Sequence, residues 1–409
     1  MVLNLKPLNL FGSIPPSIGN LTYLTEIHLQ NNSFHGEIPQ EMGHLLQLQL
    51  LNLSYNSFGE TILLEPFHLG LETSLLWPLF RLVKTIFKSI PEDLGHLTGL
   101  GRFILTQNNL SGVVPPSIYN ISSMFYLTFT VNQLHGNLPQ DIGLALSNLK
   151  VFAGGVNKLT GPIPVSLSNC SALEVLDFAQ NDIIGTVPDT LGRLRNVYRI
   201  NFENNRLGHG NASDLNFFRS LPNCSVLEVL GMGSNYFAGE LPTSIVNLSS
   251  YMRIFTISGN FIHGNIPNGI ENLVNLILLG LGNNQLGGSV PEAIGKLHKL
   301  QVVSMDGNKF SDSISLSLGN LTSLTILLMQ ENMFEGTIPH SLGNCKNLMT
   351  PNLSSNSLNG TIPREVIGLS SLSISLPLSD NFLTGALPSE VSLLKNLGEL
   401  DISRKQVIR

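Results

Sequence analysis

The chain has 409 residues, 12% of them charged and 42% hydrophobic, with 38 Gly, 22 Pro and 3 Cys. That composition excludes a disordered segment, a formal charge of −6 leaves no basic surface for nucleic acid, and three cysteines exclude a disulfide framework. The start, Met1-Val-Leu-Asn-Leu-Lys-Pro, lacks the parts of a signal peptide, and no run reaches the roughly 20 apolar residues of a membrane helix, so no membrane insertion by this chain is expected.

From the N-terminus onward one pattern recurs. The first turn has Gly12, Ile14 and Pro15 in register but Leu8 where later turns place Asn. The second turn is complete: Leu21-x-x-Leu24-x-x-Ile27-x-Leu29-x-x-Asn32-x-Phe34-x-Gly36-x-Ile38-Pro39. The same frame puts an asparagine at Asn32, Asn56, Asn108, Asn132, Asn157, Asn181, Asn205, Asn235, Asn260, Asn284, Asn308, Asn332, Asn356 and Asn381, mostly 24 or 25 residues apart. A period of this length kept from end to end predicts a solenoid.

The alternation Ile27-x-Leu29 predicts a short strand with its apolar face inward. Asn32 and its equivalents then point inward, where an amide costs roughly 1–3 kcal/mol unless bonded, so they are expected to form a ladder on the backbone of neighbouring turns. Gly36 suits a positive φ or a close approach, Ile38 before Pro39 is pushed extended, and the proline starts a helical turn.

After the first turn, five places depart from the frame. In residues 61–89, Lys84 falls in the Asn slot, Lys88 in the Gly slot and Arg81 at a strand leucine, which predicts a degenerate repeat. Residues 208–222, where the interval grows to 30, read as a polar looped insertion. Asp312 and Ser315 displace Gly and Pro, and Pro351 takes a strand position. The last turn has Lys405 in the Asn slot and stops at Arg409.

The repeat resembles the plant-type leucine-rich repeat of the extracellular domains of plant receptor-like kinases. Gly112-Val-Val-Pro-Pro-Ser-Ile-Tyr-Asn120 and Thr160-Gly-Pro-Ile-Pro164 are most similar to the branch holding immune receptors for bacterial proteins. The resemblance implies an α/β solenoid with a parallel sheet on a concave face, 3-10 turns on a convex face and a superhelical arc. Residues 1–409 would form a single array of about 17 turns, uncapped at both ends because the paired cysteines of family caps have no match here.

It also implies a ligand-recognition ectodomain in defence signalling, on the extracellular side of the plasma membrane. Such a domain would bind a peptide or protein and pair with a co-receptor kinase through a lateral edge. The family's serine/threonine kinase signatures are absent, so the chain itself reads as no enzyme. Two other readings stand beside this one: a soluble inhibitor of a microbial hydrolase, and a truncated, non-functional gene product.

No constellation for catalysis, metal or cofactor appears. His35, His135 and His263 share one slot on different turns, and Cys170, Cys224 and Cys345 share another and read as core thiols. Twelve N-x-[ST] sequons occur. Asn20, Asn120, Asn169, Asn223, Asn247 and Asn320 sit just before the first apolar residue of a turn, and Asn211 lies in the insertion; these seven are the expected glycosylation sites. Asn52 and Asn352 lie on the concave face and would obstruct its ends. Between them, the candidate ligand contacts are Arg102, Tyr126, Thr128, Thr130, Asp177, Tyr198, Arg199, Asn201 and Glu203, since aromatics and arginines on an exposed sheet anchor interfaces. Gly231, Gly233, Gly280 and Gly282 further along leave the face bare.

Overall fold

Away from the first and last, each turn opens on a three-residue strand whose middle side chain is buried and whose flanking residues are more open, the outcome of the period-2 alternation. The structure, a computed structural model, describes residues 1–66 and 80–403. Residues 67–79 and 404–409, Lys405 included, lie outside the described residues. The chain divides into two compact units, Met1–Ile183 and Ile184–Arg409.

In the first unit the strands Val2–Asn4, Glu26–His28, Leu50–Asn52, Arg102–Ile104, Tyr126–Thr128, Val151–Ala153 and Val175–Asp177 pair in parallel without a change of register. In the second, Arg199–Asn201, Val229–Gly231, Ile254–Thr256, Leu278–Gly280, Val302–Ser304, Ile326–Leu328 and Thr350–Asn352 do the same. Ser375–Pro377 then pairs with Glu399–Asp401 as a separate two-stranded sheet. Pro351 and Pro377, which have no N–H to give, flank that interruption. Opposite the strands lie 3-10 turns such as Gln40–His44 and Leu316–Asn320. They stack so closely that a Cβ at Gly43 or Gly319 would run into the carbonyl oxygen of Asp93 or Ser341 on the next turn.

The asparagines form the ladder. Asn260 donates from Nδ2 to Met232 O of the preceding turn (3.1 Å) and to Ile257 O of its own (2.8 Å), while its Oδ1 accepts from the Phe237 N–H (3.0 Å). Asn108 and Asn132 repeat this in the first unit, and Asn284, Asn308 and Asn356 in the second. The residue just before the asparagine is left-handed whatever its type: φ is 59° at Asn31, 57° at Val131 and 56° at Val156. Two β-branched residues therefore sit where L side chains are strained, because the backbone must reverse there for the amide to turn inward.

Residues 61–89 are not a degenerate repeat. Leu50–Asn52 pairs directly with Arg102–Ile104, and Asn108 bonds Leu53 O and the Phe58 N–H, so no turn intervenes. Glu60–Pro66 and Phe80–Phe87 instead pair antiparallel, with Lys84 opposite Leu63 and Arg81 opposite Glu65, which takes both out of the slots assigned to them. The Lys88 N–H bonds Gly59 O at 2.7 Å, closing the turn across the insertion. Removing the 28 residues 60–87 from the 52 that separate Asn56 from Asn108 leaves 24, the array's own period. The described residues accordingly hold 16 strands that open a turn, where the pattern gave about 17 turns for the whole chain.

Residues 208–222 likewise differ from a polar loop. They hold two 3-10 turns, Asn216–Arg219 and Leu221–Asn223, that bury Leu215, Phe217, Phe218 and Leu221. Asp214, only 2% exposed, accepts from the N–H groups of His209 (3.0 Å), Asn211 (3.1 Å) and Ala238 (3.2 Å). Those charge-assisted bonds tie the insertion to the following turn.

Candidate functional site

The strand faces turned away from the core repeat their side chains in a fixed direction from turn to turn, so a ligand could be read along them. On the first unit, Arg102 is exposed and its guanidinium lies 5.3 Å from the centroid of the Phe125 ring, a cation–π contact made by residues of adjacent turns. Tyr126 is half-buried beside it. Thr128 Oγ1 lies 3.0 Å from Thr106 Oγ1 and 3.1 Å from Thr130 Oγ1, a short chain of hydroxyls. Asp177 accepts from the Ala179 N–H at 3.2 Å.

On the second unit, Tyr198 is 41% exposed, and Arg199 and Glu203 are half-buried. Asn201 Oδ1 accepts from the Glu203 N–H at 3.2 Å. Two of the nine expected contacts are not presented: Thr128 is 7% and Asn201 8% exposed, because neighbouring side chains close over them. They can shape the surface but offer a ligand little area.

The glycines of the second unit are not a bare floor. A Cβ at Gly231 would collide with Asn201 Oδ1, one at Gly280 would lie 2.9 Å from Thr256 Cβ, and one at Gly282 would lie 2.6 Å from Asp306 Oδ1. Side chains of the flanking turns lie across these positions, and glycine makes room for them. Sequence reasoning missed that because it saw one turn at a time. Asp306, absent from the expected contacts, accepts from Ser304 Oγ (2.6 Å) and Asn283 Nδ2 (3.0 Å) on this same face.

Asn52 and Asn352 each end a strand on the side away from its buried residue, with their sequon serine folded back: Oδ1 accepts from the N–H and Oγ of Ser54 (3.1 and 2.7 Å) and of Ser354 (3.1 and 2.8 Å). The seven asparagines expected to be glycosylated, Asn20, Asn120, Asn169, Asn211, Asn223, Asn247 and Asn320, are exposed, six of them as the last residue of a 3-10 turn. Cys170, Cys224 and Cys345 are buried free thiols bonded to a carbonyl of the turn before, at 3.4, 3.6 and 3.5 Å from Leu146, Leu191 and Leu318 O. Burial pushes each thiol up to about 11, so none is a nucleophile at neutral pH. Among the described residues no group of three His, Cys, Asp or Glu is placed to hold a metal, and no helix is long and apolar enough to cross a membrane.

Parallel three-residue strands, 3-10 turns on the opposite side and an internal asparagine ladder define a leucine-rich-repeat solenoid. The Leucine Rich Repeat family profile matches residues 23–45, 275–297 and 323–345. The chain is a leucine-rich-repeat array whose relatives are plant leucine-rich-repeat receptor-like serine/threonine kinases, and it is similar to their ectodomain alone. One relative, the LRR receptor-like serine/threonine-protein kinase EFR of Arabidopsis thaliana, is 43% identical over 89 residues, which is 22% of this chain and 9% of that protein.

Solved structures match over far more of the chain. A TDR receptor aligns with 99% of this chain and 64% of its own at 28% identity, with a TM-score of 0.85. The Arabidopsis receptor kinase HAESA, in complex with the peptide hormone IDA and the co-receptor SERK1, aligns with 97% of this chain and 69% of its own at 29% identity, with a TM-score of 0.66. The chain thus spans about two thirds of these ectodomains and a small part of the kinase relative.

Proposed function

We propose that this chain is the ligand-recognition part of a plant receptor-like kinase, that it binds a peptide or protein along its strand faces, and that it serves defence signalling. Its place would be the outer side of the plasma membrane, with the kinase on a part of the parent protein outside this chain and a co-receptor kinase meeting a lateral edge. The observation that carries the reading is the alignment of nearly the whole chain with receptor ectodomains, one of which holds a peptide hormone and a co-receptor. The resemblance of Gly112-Val-Val-Pro-Pro-Ser-Ile-Tyr-Asn120 and Thr160-Gly-Pro-Ile-Pro164 to the immune-receptor branch favours the defence reading.

The surface chemistry supports a polypeptide ligand over a small molecule. Arg102 with Phe125 and Tyr126 on the first unit, and Tyr198 with Arg199 and Glu203 on the second, offer aromatic and charged anchors on an open sheet rather than an enclosed apolar pocket. The test is a receptor carrying this array ahead of a membrane helix and a kinase, challenged with a bacterial protein extract. Tyr126→Ala with Arg199→Glu should abolish the kinase response while the receptor still reaches the cell surface. An unchanged response moves the binding site elsewhere, and a receptor silent to bacterial extract but responsive to plant peptides moves the role from defence to development.

A further inference from the structure

Five of the six sequon asparagines that end a 3-10 turn close a turn of five residues. Asn223 differs. Its turn, Leu221–Asn223, has three residues and is joined at Ser220 to a second short turn, Asn216–Arg219. Beside this broken turn, against Asp189–Arg193 of the turn before, lies a cavity of about 520 Å³ lined by Asp189, Thr190, Arg193, Arg195, Ser220 and Asn223 itself. A volume of that size is within the range of about 300–1,000 Å³ that holds small ligands.

We propose that Asn223 carries an N-linked glycan whose first sugars occupy this cavity and brace the insertion against the preceding turn. The lining has the mixed chemistry a sugar needs: guanidinium donors at Arg193 and Arg195, hydroxyls at Thr190 and Ser220, and a carboxylate acceptor at Asp189. A free anion fits less well, because Asp189 would repel it. Neither guanidinium is ion-paired with a carboxylate among the described residues, so both remain open to a neutral acceptor. A sugar attached to a residue of the cavity wall is held there at high effective concentration, so weak contacts suffice.

The attachment balances simply. Asn223 Nδ2 attacks the anomeric carbon of a lipid-diphosphate-linked oligosaccharide, and the C–N bond forms as the anomeric C–O bond breaks. The lipid diphosphate leaves with the electron pair, and the amide nitrogen loses one proton to a base of the transferase. Asn223 and the sequon Ser225 are both exposed and Cys224 is buried between them, so the acceptor is presented on the surface.

The inference rests on the secretory placement proposed above, and the experiment separates the two. The full chain is secreted from plant cells behind an added signal, sequon occupancy is mapped by mass spectrometry, and the glycans are trimmed to one sugar. Amide exchange over residues 189–195 should then be about threefold slower than in Asn223→Gln. Ser225→Ala, which removes the sequon without touching the cavity wall, should match Asn223→Gln, and Asn247→Gln should leave that exchange unchanged. Equal exchange with and without the Asn223 sugar overturns the inference, as does an unmodified Asn223 beside occupied Asn247 and Asn320. A secreted chain without sugar at any sequon overturns the secretory placement as well.

Discussion

Asn235 holds Phe202 of the preceding turn through its backbone: Nδ2 donates to Phe202 O at 2.9 Å, while Oδ1 accepts from the Leu207 N–H of the same turn at 2.9 Å. One side chain therefore satisfies a donor and an acceptor that the strand and the turn after it leave open, from a residue 5% exposed.

Removing that amide leaves the Leu207 N–H buried and unpaired, while Phe202 O keeps its bond from Asn205 Nδ2 (3.1 Å). Asn235→Ala is expected to cost about 1–3 kcal/mol, measured by urea unfolding, against less than about 1 kcal/mol for Asn275→Ala, whose Nδ2 bonds Ser250 O on an exposed edge. Equal losses at the two positions would remove the ladder as the chief polar restraint.

Val131 and Val156 take the left-handed conformation with a branched Cβ. Replacing either by Asn, which tolerates that region, should stabilise the chain by about 0.5–1 kcal/mol and raise its melting temperature. Asp312, at φ 63° in the Gly slot, should respond in the same direction to Asp312→Gly. A loss of stability in all three variants would mean that side-chain contacts outweigh the backbone strain.

Deleting residues 60–87 should restore an ordinary turn, Asn56-Ser57-Phe58-Gly59-Lys88-Ser89-Ile90-Pro91, because the flanking strands already pair directly. The shortened chain is expected to melt as cooperatively as the full one by calorimetry. Substituting Lys88→Gly in that background should improve it further, at the cost of the Lys88–Glu37 ion pair (2.6 Å, on exposed side chains), which is worth little. A deletion that no longer folds would show that the antiparallel pair supports the array.

The three thiols set a limit at high pH. Their folded-state value of about 11 lies above the ordinary 9.0, so between these values the unfolded chain ionises while the folded chain keeps its protons. The unfolded state then binds fewer protons, and stability should fall as pH rises through about 9 to 11. Disulfide-exchange reagents at pH 8 should label none of the three until the chain unfolds; prompt labelling of the native chain would contradict their burial.

The repeat period, the strand phase, the inward asparagines and the Gly36-type turn were legible in the residues because each is a property of one turn, set by side-chain alternation and local backbone sterics. Stacking decided the rest. That Asn56 and Asn108 are neighbours depends on which carbonyls the Asn108 amide meets, and the charged residues of 61–89 mimicked a failed turn while forming an insertion. Gly43 and Gly231 are glycines because of an atom on another turn, Asp93 O in one case and Asn201 Oδ1 in the other. Thr128 and Asn201 carry outward phase yet are covered by neighbours that no single turn contains. A pattern within the chain specifies the coil; contacts between coils, separated by two dozen residues or more, specify which of its side chains remain open to a partner.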